Sequence, residues 1–586
     1  MLKLTKEGSG SVDETRSPVK IKLWALLLLV ALCFLQFFWR LGDVPFYSRG
    51  ESREGLVIWE MVKTGNLILP MINGDYIPFK PPLFHWIGVL AAKITGGVDE
   101  FSIRFPSALF ATLGALLTYT LGARLWNERA GRFAALVLAT NSEWWRAGAQ
   151  AQVDMTLAFF ITATLLLFYY MYREGKYSGV YSIALAFLWA CATLAKGPLG
   201  CLVPLLTVIA FLGLRRDFVV LKKLHLVSGA AVFVLVAGSW YGLALWQGGP
   251  AFFLRQIIEE NIGTARGTWG HYQPIYYFVP IFFYNLAPWS FFSFPIAFSI
   301  FRRRQMLSED GLLFPLVWFM AVFLFFSIAL GKRAVYILPL YPAFALLLGG
   351  WWASCLKNNV KADWLTTAIG YFLALSTFLV IVGIGLFLYG IDVPIPGKAG
   401  TVGDLLNIIT PPSPLVWISL ALGGIAALTM VISLQRKKWQ GLFFAIAILA
   451  TVATVIVKTL YYPAIAAART LKPFGIRLQE EIDSQAPLLF YDAFDAGTIF
   501  YSRRHIASYF EKANELKPPF FLLMWEKDWE KLRNQTDLKM LDVSEGRGPV
   551  GKNRLVLVRS SRRLPVLNAK SALEAIRQDL ENPASD

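Results

Sequence analysis

Residues 104–126, RFPSALFATLGALLTYTLGARLW, decide the fold class of this chain. Arg104 and Arg124 stand near the two ends of the stretch, and the residues between them carry no charge. A helix needs roughly 20 mostly apolar residues to cross the hydrocarbon core of a bilayer. The stretch therefore predicts a membrane-spanning helix.

Similar apolar runs follow one another along most of the 586 residues. About thirteen are long enough to cross a bilayer. They cover 22–40, 104–126, 131–148, 154–171, 179–196, 197–214, 225–247, 274–300, 312–330, 333–355, 364–390, 413–434 and 439–461. Charged residues make up only 16% of the chain, against about 25% in an average soluble domain. This composition excludes a soluble enzyme and a disordered chain, and it predicts a polytopic α-helical membrane protein.

The net charge of +17 comes largely from alternate short loops between these runs. Loops rich in Lys and Arg face the cytoplasm, so residues 1–21 are predicted to form a cytoplasmic N-terminus and residues 22–462 a transmembrane domain. The first run lacks a small-residue cleavage site after it, which indicates a retained anchor. An odd number of spans then puts the C-terminus outside, in the periplasm if the protein lies in an inner (plasma) membrane. The positive charge is topological and does not indicate nucleic-acid binding. The cations are Arg124, Arg129, Arg132, Arg173, Lys176, Arg215, Arg216, Lys222, Lys223, Arg302, Arg303, Arg304, Lys357, Lys361, Arg436, Lys437 and Lys438.

The outer face receives three long loops and the C-terminal tail. The loops cover 41–103, 248–273 and 391–412, and the tail covers 463–586. Within the tail, residues 474–484 are amphipathic and predict a helix. PLLFYDA (487–493), PFFLLMWE (519–526) and NRLVLV (553–558) predict strands. The tail is therefore expected to be a small periplasmic α/β domain.

The first outer loop, 47–88, reads YSRGESREGLVIWEMVKTGNLILPMINGDYIPFKPPLFHWIG. Ser48 and Glu51 have the spacing of a capping box. They predict a helix over 49–63 that stops at Gly65 and lies on the membrane surface through its apolar face. A second short helix is expected to begin at Lys80-Pro81-Pro82, because proline is favoured in a first turn. Two such helices beside a helical bundle form a roof over a cavity.

Two carboxylates are candidate catalytic residues, and each has a structural alternative. Glu51 either caps its own helix or acts as a general base on an acceptor hydroxyl or amine. Asp154, in GAQAQVDMTLAFF, stands at the outer start of a span. It is either an N-cap or a functional carboxylate near lipid.

Cations at the outer ends of spans are informative because the other cations lie on the inner side. Lys196 stands in LAKGPLG and Arg333 in LGKRAVYILPLYP, while Lys80 and Arg53 belong to the first outer loop. The alternatives are snorkelling and binding of an anionic group such as phosphate. The second is favoured for Lys196 and Arg333.

The second outer loop predicts a further surface helix over 252–262, followed by Arg266 and His271. The four histidines show no paired spacing, so a metal cluster is not expected. The outer loops contain no DxD, and no phosphate-binding glycine loop follows a strand. The sequence thus requires no cofactor, although dependence on a divalent metal stays open. Cys33, Cys191, Cys201 and Cys355 lie in apolar stretches and indicate packing.

Several of these segments resemble the GT-C fold glycosyltransferases that use lipid-linked sugars. They are the acidic residue before x-Arg in the first outer loop, TGNLILP, GDYIPFKPPLFHW, the 101–126 span, LAKGPLG and YILPLYP. The chain resembles in particular the 4-amino-4-deoxy-L-arabinose lipid A transferases and the wider protein O-mannosyltransferase superfamily. The resemblance covers residues 20–350. It implies about thirteen spans with an external C-terminal domain.

The resemblance also implies roles for individual residues. The family's Asp-Glu-x-Arg-Tyr matches residues 50–54, where Gly50 replaces the Asp and Glu54 the Tyr, so Glu51 or Asp154 would have to be the base. The family's Glu-Lys-Pro matches Phe79, Lys80 and Pro81, so the Glu is lost. Lys196 matches a lysine that faces the donor phosphate, and Tyr336 the tyrosine of Tyr-x-Leu-Pro. Asn261 falls near the position of a family histidine. Whether His271 replaces that histidine stays open.

The function that follows is transfer of a sugar (pentose, aminopentose or hexose) from a polyprenyl-phosphate donor, undecaprenyl-linked in a bacterium. The acceptor would be lipid A, another glycolipid or a protein at the outer surface. Lys80, Lys196 and Arg333 would bind the phosphate, and Arg53, Tyr336, Asn261 and His271 the substrates. A lipid-linked-sugar transporter and a non-catalytic assembly protein are the alternatives. A transporter predicts charges at the bilayer midplane and inverted repeats, whereas the charges here lie at span ends.

Overall fold

The computed structural model describes residues 22–74, 76–263, 266, 272–302, 310–357, 364–388, 413–534 and 537–564. The predicted outer loop 391–412 and His271 lie outside these residues. The chain is mostly helical, and its N-terminal part forms a bundle. The helices of the bundle and outer loops are α1 (Leu23–Cys33), α2 (Arg49–Thr64), α3 (Leu83–Thr95), α4 (Glu100–Leu125), α5 (Glu128–Ala139), α6 (Ser142–Gly148), α7 (Val153–Glu174), α8 (Gly179–Lys196), α9 (Pro198–Arg215), α10 (Val219–Lys223), α11 (Leu226–Phe233), α12 (Ser239–Phe252), α13 (Phe278–Asn285), α14 (Ser293–Arg302), α15 (Asp310–Ile328), α16 (Tyr341–Lys357), α17 (Trp364–Leu388), α18 (Pro414–Gln435) and α19 (Trp439–Ile456).

Six short 3₁₀ or π segments extend or join these helices in the described part of the chain. They are Phe34–Phe38, Val234–Gly238, Phe253–Gly263, Trp289–Phe292, Ala334–Leu340 and Val457–Tyr461. Several continue the preceding helix without a break, so that one apolar segment runs from Leu226 to Gly263 and another from Trp439 to Arg469.

The prediction of a polytopic helical membrane protein is confirmed. Ten described helices are long and apolar enough to span a bilayer, or eleven if the pair Phe278–Asn285 and Trp289–Arg302, bent by 114°, forms one span. The predicted first span is a shorter apolar helix, Leu23–Phe38. The predicted span 131–148 is instead two helices, because Asn141 ends one run and its side chain accepts a hydrogen bond from the Trp144 amide at the start of α6. The total of thirteen crossings stays a prediction.

The C-terminal part contains a mixed sheet with helices packed around it. Its helices are α20 (Tyr462–Arg469), α21 (Lys472–Glu481), α22 (Ala496–Ser502), α23 (Tyr509–Lys512) and α24 (Glu526–Leu532). The strands are β1 (Leu488–Phe490), β2 (Ala507–Ser508), β3 (Phe520–Trp525), β4 (Leu538–Val543) and β5 (Leu555–Ser560), in the order β2-β1-β3-β5-β4. β1 is parallel to β2 and β3, whereas β5 is antiparallel to β3 and β4. The three predicted strands are present, and β2 and β4 were not predicted.

The C-terminal part packs directly against the first outer loop. Leu56 and Ile58 of α2 share one apolar core with Phe474 and Ile499. Polar contacts reinforce this core: the Asn73 side chain exchanges two hydrogen bonds of 2.9 Å with the backbone of Ile506. The outer-loop helix is thereby held between the bundle and the sheet.

Candidate active site

The helix α2 forms as the sequence predicts. The carboxylate of Glu51, however, is bound by residues of other elements and does not cap its own helix. Ser48 caps the helix by accepting a hydrogen bond from the Glu51 amide, and Gly65 ends it with a left-handed φ of 73°. The Glu51 side chain is fully buried. It accepts two hydrogen bonds from Arg104, of 2.7 and 3.0 Å, and one of 3.1 Å from the Ala151 amide. This carboxylate therefore joins α2 to α4 and to the segment that precedes α7.

One turn further along α2, a second buried carboxylate was not predicted as part of the site. Glu54 accepts hydrogen bonds of 2.9 and 3.2 Å from Arg53 and lies 2.7 Å from Nε2 of His85 on α3. Burial alone would raise the pKa of Glu54. The charge of Arg53 and the hydrogen bond from His85 outweigh this and lower the pKa to about 2. Glu54 is thus ionised at neutral pH and fixes the position of Arg53.

Asp154 and Lys196 form a buried ion pair between the start of α7 and the end of α8. The side-chain nitrogen of Lys196 also lies 4.4 Å from the centre of the Tyr336 ring. After Lys196, Gly197 has a φ of 74°, and a β-carbon there would lie 3.4 Å from the side-chain oxygen of Asn261. The break between α8 and α9 therefore brings Asp154, Lys196, Tyr336 and Asn261 together.

Lys80, in the first outer loop, lies beside this group of residues. It pairs with Glu260 of the second outer loop, while the Gln256 amide donates hydrogen bonds of 2.8 and 3.0 Å to the carbonyls of Pro78 and Lys80. Burial, together with the charges of Lys196 and Arg53, lowers the pKa of Lys80 well below its usual value. Cations from two outer-loop elements and one span thus share a small volume.

Arg333 completes the cationic cluster, which we define as Arg53, Lys80, Lys196 and Arg333. It precedes the 3₁₀ segment Ala334–Leu340 and lies close enough to Lys196 for their charges to repel each other. The adjacent Lys332 donates instead to the Gln273 carbonyl, at 2.8 Å. A half-buried cluster of four cationic side chains is suited to binding an anion.

The second outer loop adds residues that the sequence alone did not indicate. Its helical segment Phe253–Gly263 carries Arg255, whose guanidinium lies 4.1 Å from the centre of the Phe79 ring, with Arg53 at 5.3 Å from the same ring. Arg255 also pairs with Glu259 at 2.8 Å. Such contacts join residues far apart in the chain, so no periodic pattern reveals them. The sequence signal was limited to the charged residues Arg255, Glu259 and Glu260 on a helix with an apolar face.

Most of the predicted site residues therefore meet. Asp154, Lys80, Lys196, Arg333, Arg53, Tyr336 and Asn261 lie in or beside the cationic cluster. Glu51 lies next to the segment leading to Asp154 but is directed to Arg104. His271 lies outside the described residues. Among those residues, no group of three His, Cys, Asp or Glu side chains could hold a metal ion.

The chain is similar to a known sequence family and to solved structures. Residues 79–241 match the sequence profile of the dolichyl-phosphate-mannose-protein mannosyltransferase family. This segment includes Lys80, Asp154 and Lys196. An uncharacterised protein of Aquifex aeolicus is 30% identical over 328 residues, which are 55% of this chain and 72% of the relative.

A named relative and a solved structure extend the comparison. The undecaprenyl phosphate-alpha-4-amino-4-deoxy-L-arabinose arabinosyl transferase 2 of Proteus mirabilis is 28% identical over 60% of this chain and 64% of its own length. The matched part thus spans slightly less than two thirds of that relative. The crystal structure of ArnT from Cupriavidus metallidurans in the apo state superposes with a TM-score of 0.72 at 19% identity, over 91% of this chain and 97% of that one.

The fold is thus that of ArnT, and the bundle is built as in a multi-span membrane protein. The segment that matches the family profile supplies two of the four residues of the cationic cluster, Lys80 and Lys196. The chain belongs to the family of GT-C fold glycosyltransferases that use lipid-linked sugars.

Proposed function

We propose that this protein is an integral membrane glycosyltransferase that moves a sugar from a polyprenyl-phosphate donor to an acceptor at the outer membrane surface. The observation that carries the proposal is the cationic cluster of Arg53, Lys80, Lys196 and Arg333, held under outer-loop helices at the ends of spans. A lipid phosphate has its charge at this depth and its tail among the spans. Family membership supports the same activity.

In the proposed reaction, the cations hold the donor phosphate and stabilise it as it leaves. The bond between the anomeric carbon and the phosphate oxygen breaks while an acceptor oxygen or nitrogen attacks from the opposite face, so the sugar inverts. The electron pair of the broken bond stays on the polyprenyl phosphate, where Lys80, Lys196 and Arg333 balance its charge. Tyr336, packed on Lys196, and Asn261, beside Gly197, are proposed to line the substrate space.

Asp154 is the better candidate for the general base that takes the acceptor proton. Its partner Lys196 is also the proposed phosphate ligand, so donor binding and base activation involve the same pair. Glu51 has three hydrogen bonds from Arg104 and Ala151 and is fully buried. We therefore assign Glu51 a positioning role, which acts through Arg104 and the chain segment before Asp154.

The orientation is proposed from the charge pattern. Residues 1–21 would be cytoplasmic, residues 22–462 would form the transmembrane unit with outer loops 41–103 and 248–273, and residues 463–586 would form a periplasmic domain of an inner-membrane protein. The packing of α2 against the C-terminal core is consistent with both lying on one side.

A transfer assay tests the activity. Purified protein in lipid nanodiscs is incubated with undecaprenyl phosphate carrying a labelled sugar and with lipid A or a cell-envelope lipid extract. Label on the acceptor supports the proposal, whereas label that stays on undecaprenyl phosphate overturns it and favours a transporter. Mass spectrometry of envelope lipids and glycoproteins from a strain lacking the gene then names the acceptor, by the class that loses the sugar mass.

A further inference from the structure

A cavity of about 340 Å³ opens between α4 and α7, at the end of the bundle away from the cationic cluster. Its walls are mostly apolar and include Leu121, Leu166 and Leu167. The two leucines of α7 are only half-buried, so the cavity reaches the outside of the bundle. Its volume lies within the range of roughly 300–1,000 Å³ that is usual for ligand pockets. The cavity therefore has the size of a binding site, and its walls suit an apolar group.

The cavity and the proposed phosphate site lie at opposite faces of the membrane. α7 begins beside Asp154 and ends at Glu174, which lines the cavity. The helix has 22 residues. At 1.5 Å per residue it is about 33 Å long, close to the roughly 30 Å of a bilayer core. A lipid in the cavity would therefore belong to the leaflet away from the cationic cluster, which is the cytoplasmic leaflet in the proposed orientation.

Three cations surround the mouth of this cavity. Arg124 and Arg173 line it directly. Lys176 donates a hydrogen bond of 3.0 Å to the hydroxyl of Tyr170, which is another lining residue. The Arg124 guanidinium lies 4.5 Å from the centre of the Tyr170 ring. One aromatic side chain thus holds two cations beside the cavity.

Cations near the end of a helix often serve the helix itself, by bonding its last carbonyls. Arg173 has this role, because it donates hydrogen bonds to the carbonyls of Arg124 and Leu125 at the end of α4. The side chains of Arg124 and Lys176 are exposed and contact Tyr170 instead. Helix capping therefore does not account for these two charges.

Carboxylates do not neutralise the mouth of the cavity. In the part of the chain that the structure describes, no ion pair joins Arg124, Arg173 or Lys176 to an acidic side chain. Glu174 is the one carboxylate among the described lining residues. Three cations against one carboxylate leave the mouth positive. Arg and Lys side chains bind phosphate groups well, so the charge complements an anionic headgroup.

We infer that this cavity is a binding site for an anionic phospholipid of the leaflet away from the cationic cluster. In this arrangement, one acyl chain lies between α4 and α7, and the headgroup phosphate contacts Arg124, Arg173 and Lys176. Basic pockets between membrane-spanning helices on the cytoplasmic side are suited to such headgroups. The site is separate from the proposed donor site and does not depend on the transfer reaction.

Lipid titrations of the full-length protein in detergent test the inference. Phosphatidylglycerol and phosphatidylcholine with the same acyl chains are added separately. Native mass spectrometry gives the Kd of the tightest bound lipid, and the Tm is measured in parallel. We expect phosphatidylglycerol to bind about tenfold more tightly and to raise the Tm more. Equal binding of the two lipids overturns the inference.

Variants locate the bound lipid. The double variant Arg124→Gln with Lys176→Gln should fold, because both side chains are exposed, and should weaken binding of phosphatidylglycerol about tenfold. Leu167→Trp, which fills the cavity without changing its charge, should also weaken it. The matched control is Lys223→Gln, because Lys223 is an exposed cation 5.5 Å from the Tyr177 ring and does not line the cavity. Unchanged affinity in the double variant or in Leu167→Trp, or an equal loss in the control, overturns the inference.

Two further probes distinguish the source of the phosphate. Inorganic phosphate should not displace phosphatidylglycerol, because it has no acyl chain, and displacement would make the cavity a site for a free anion. Undecaprenyl phosphate should bind the double variant as tightly as the wild type, since its proposed site lies at the other end of α7. A parallel loss of undecaprenyl phosphate binding would assign the cavity to the polyprenyl lipid and overturn the inference.

Discussion

At the scale of single residues, Glu51 shows why a sequence alone does not separate a structural carboxylate from a catalytic one. It follows a helix cap in an outer loop, which suits either interpretation. Its bidentate contact with Arg104 and its complete burial support the positioning role that we propose for it. The role of Glu51 cannot be assigned from sequence, because its partner Arg104 is 53 positions away.

Replacing Glu51 by Gln should therefore lower the stability of the fold more than the rate of sugar transfer. Removing one partner of a buried ion pair leaves the other charge uncompensated, at a cost of roughly 3–5 kcal/mol. We expect a large fall in the Tm of the purified protein. Adding Arg104→Met to Glu51→Leu should recover part of the loss. A Glu51→Gln protein with a wild-type Tm and a much lower kcat would instead make Glu51 the base.

Replacing Lys196 by Ala should reduce turnover by about 10²–10³-fold, because it removes a cation from the departing phosphate. Transfer assays and Tm are measured together, since the change also leaves Asp154 unpaired. Lys196→Arg, which keeps the charge, is the matched control and should retain more activity. Full activity in a folded Lys196→Ala protein would remove Lys196 from the phosphate site.

The buried Glu54 predicts a pH dependence of stability. Folding lowers its pKa from 4.5 to about 2, so the ionised carboxylate stabilises the fold above pH 4.5, and this contribution disappears as the pH falls towards 2. The loss is roughly 3 kcal/mol, at about 1.4 kcal/mol for each pKa unit.

The measurement compares the Tm of the wild type with that of Glu54→Gln across this range. The wild type should be the more stable at neutral pH, and the gap should close on acidification. A gap that stays constant down to pH 3 would contradict the assignment.

At the scale of elements, the outer-loop helices were the most predictable part. The predicted helix 49–63 is found as Arg49–Thr64, since Ser48 and Gly65 supply strong end signals. The span 131–148 was wrong because hydropathy does not register the Asn141 cap between two short helices. Apolar composition predicts how many residues lie in lipid, and local capping decides where a helix is interrupted.

The contact of the C-terminal part with the outer loop makes a second element-scale prediction. The Tyr501 hydroxyl accepts a hydrogen bond from the Phe46 amide at 2.8 Å and donates one to Glu100 at 2.9 Å. Tyr501→Phe leaves a buried amide without a partner, which costs about 1–3 kcal/mol. Limited proteolysis should then release the C-terminal part faster.

The matched control is Tyr509→Phe. Among the residues that the structure describes, that hydroxyl bonds to the Leu564 backbone, within the C-terminal part. Loss of the Tyr509 hydroxyl should destabilise the sheet region without weakening the contact of the C-terminal part with the first outer loop. Equal release rates in the two variants would show that the Tyr501 contact does not hold the parts together.

At the scale of the whole molecule, composition and the charge of short loops were enough for the fold class. They could not give the strand order, because β2 has only two residues and β4 has an exposed, interrupted pattern. They also could not assemble the site completely. Lys196 and Arg333 could be picked out from the sequence, because they are cations at the predicted outer ends of spans. Glu54, Phe79 and Arg255 could not, because contacts across the fold bring them to the site.

The proposed orientation is testable by reporter fusion. Alkaline phosphatase joined after Leu564 should be active, because a periplasmic position allows its disulfides to form. The same enzyme joined after Lys223, in a cationic loop, should be inactive. The opposite pattern would invert the topology and move the cationic cluster to the cytoplasmic side.

In the proposed mechanism, the pairing of Asp154 with Lys196 has a kinetic consequence. While the pair is intact, the Lys196 ammonium occupies an oxygen of the carboxylate that the acceptor would have to reach. A phosphate that binds Lys196 frees it. The donor lipid must then enter first, and an acceptor that arrives early meets an inactive protein.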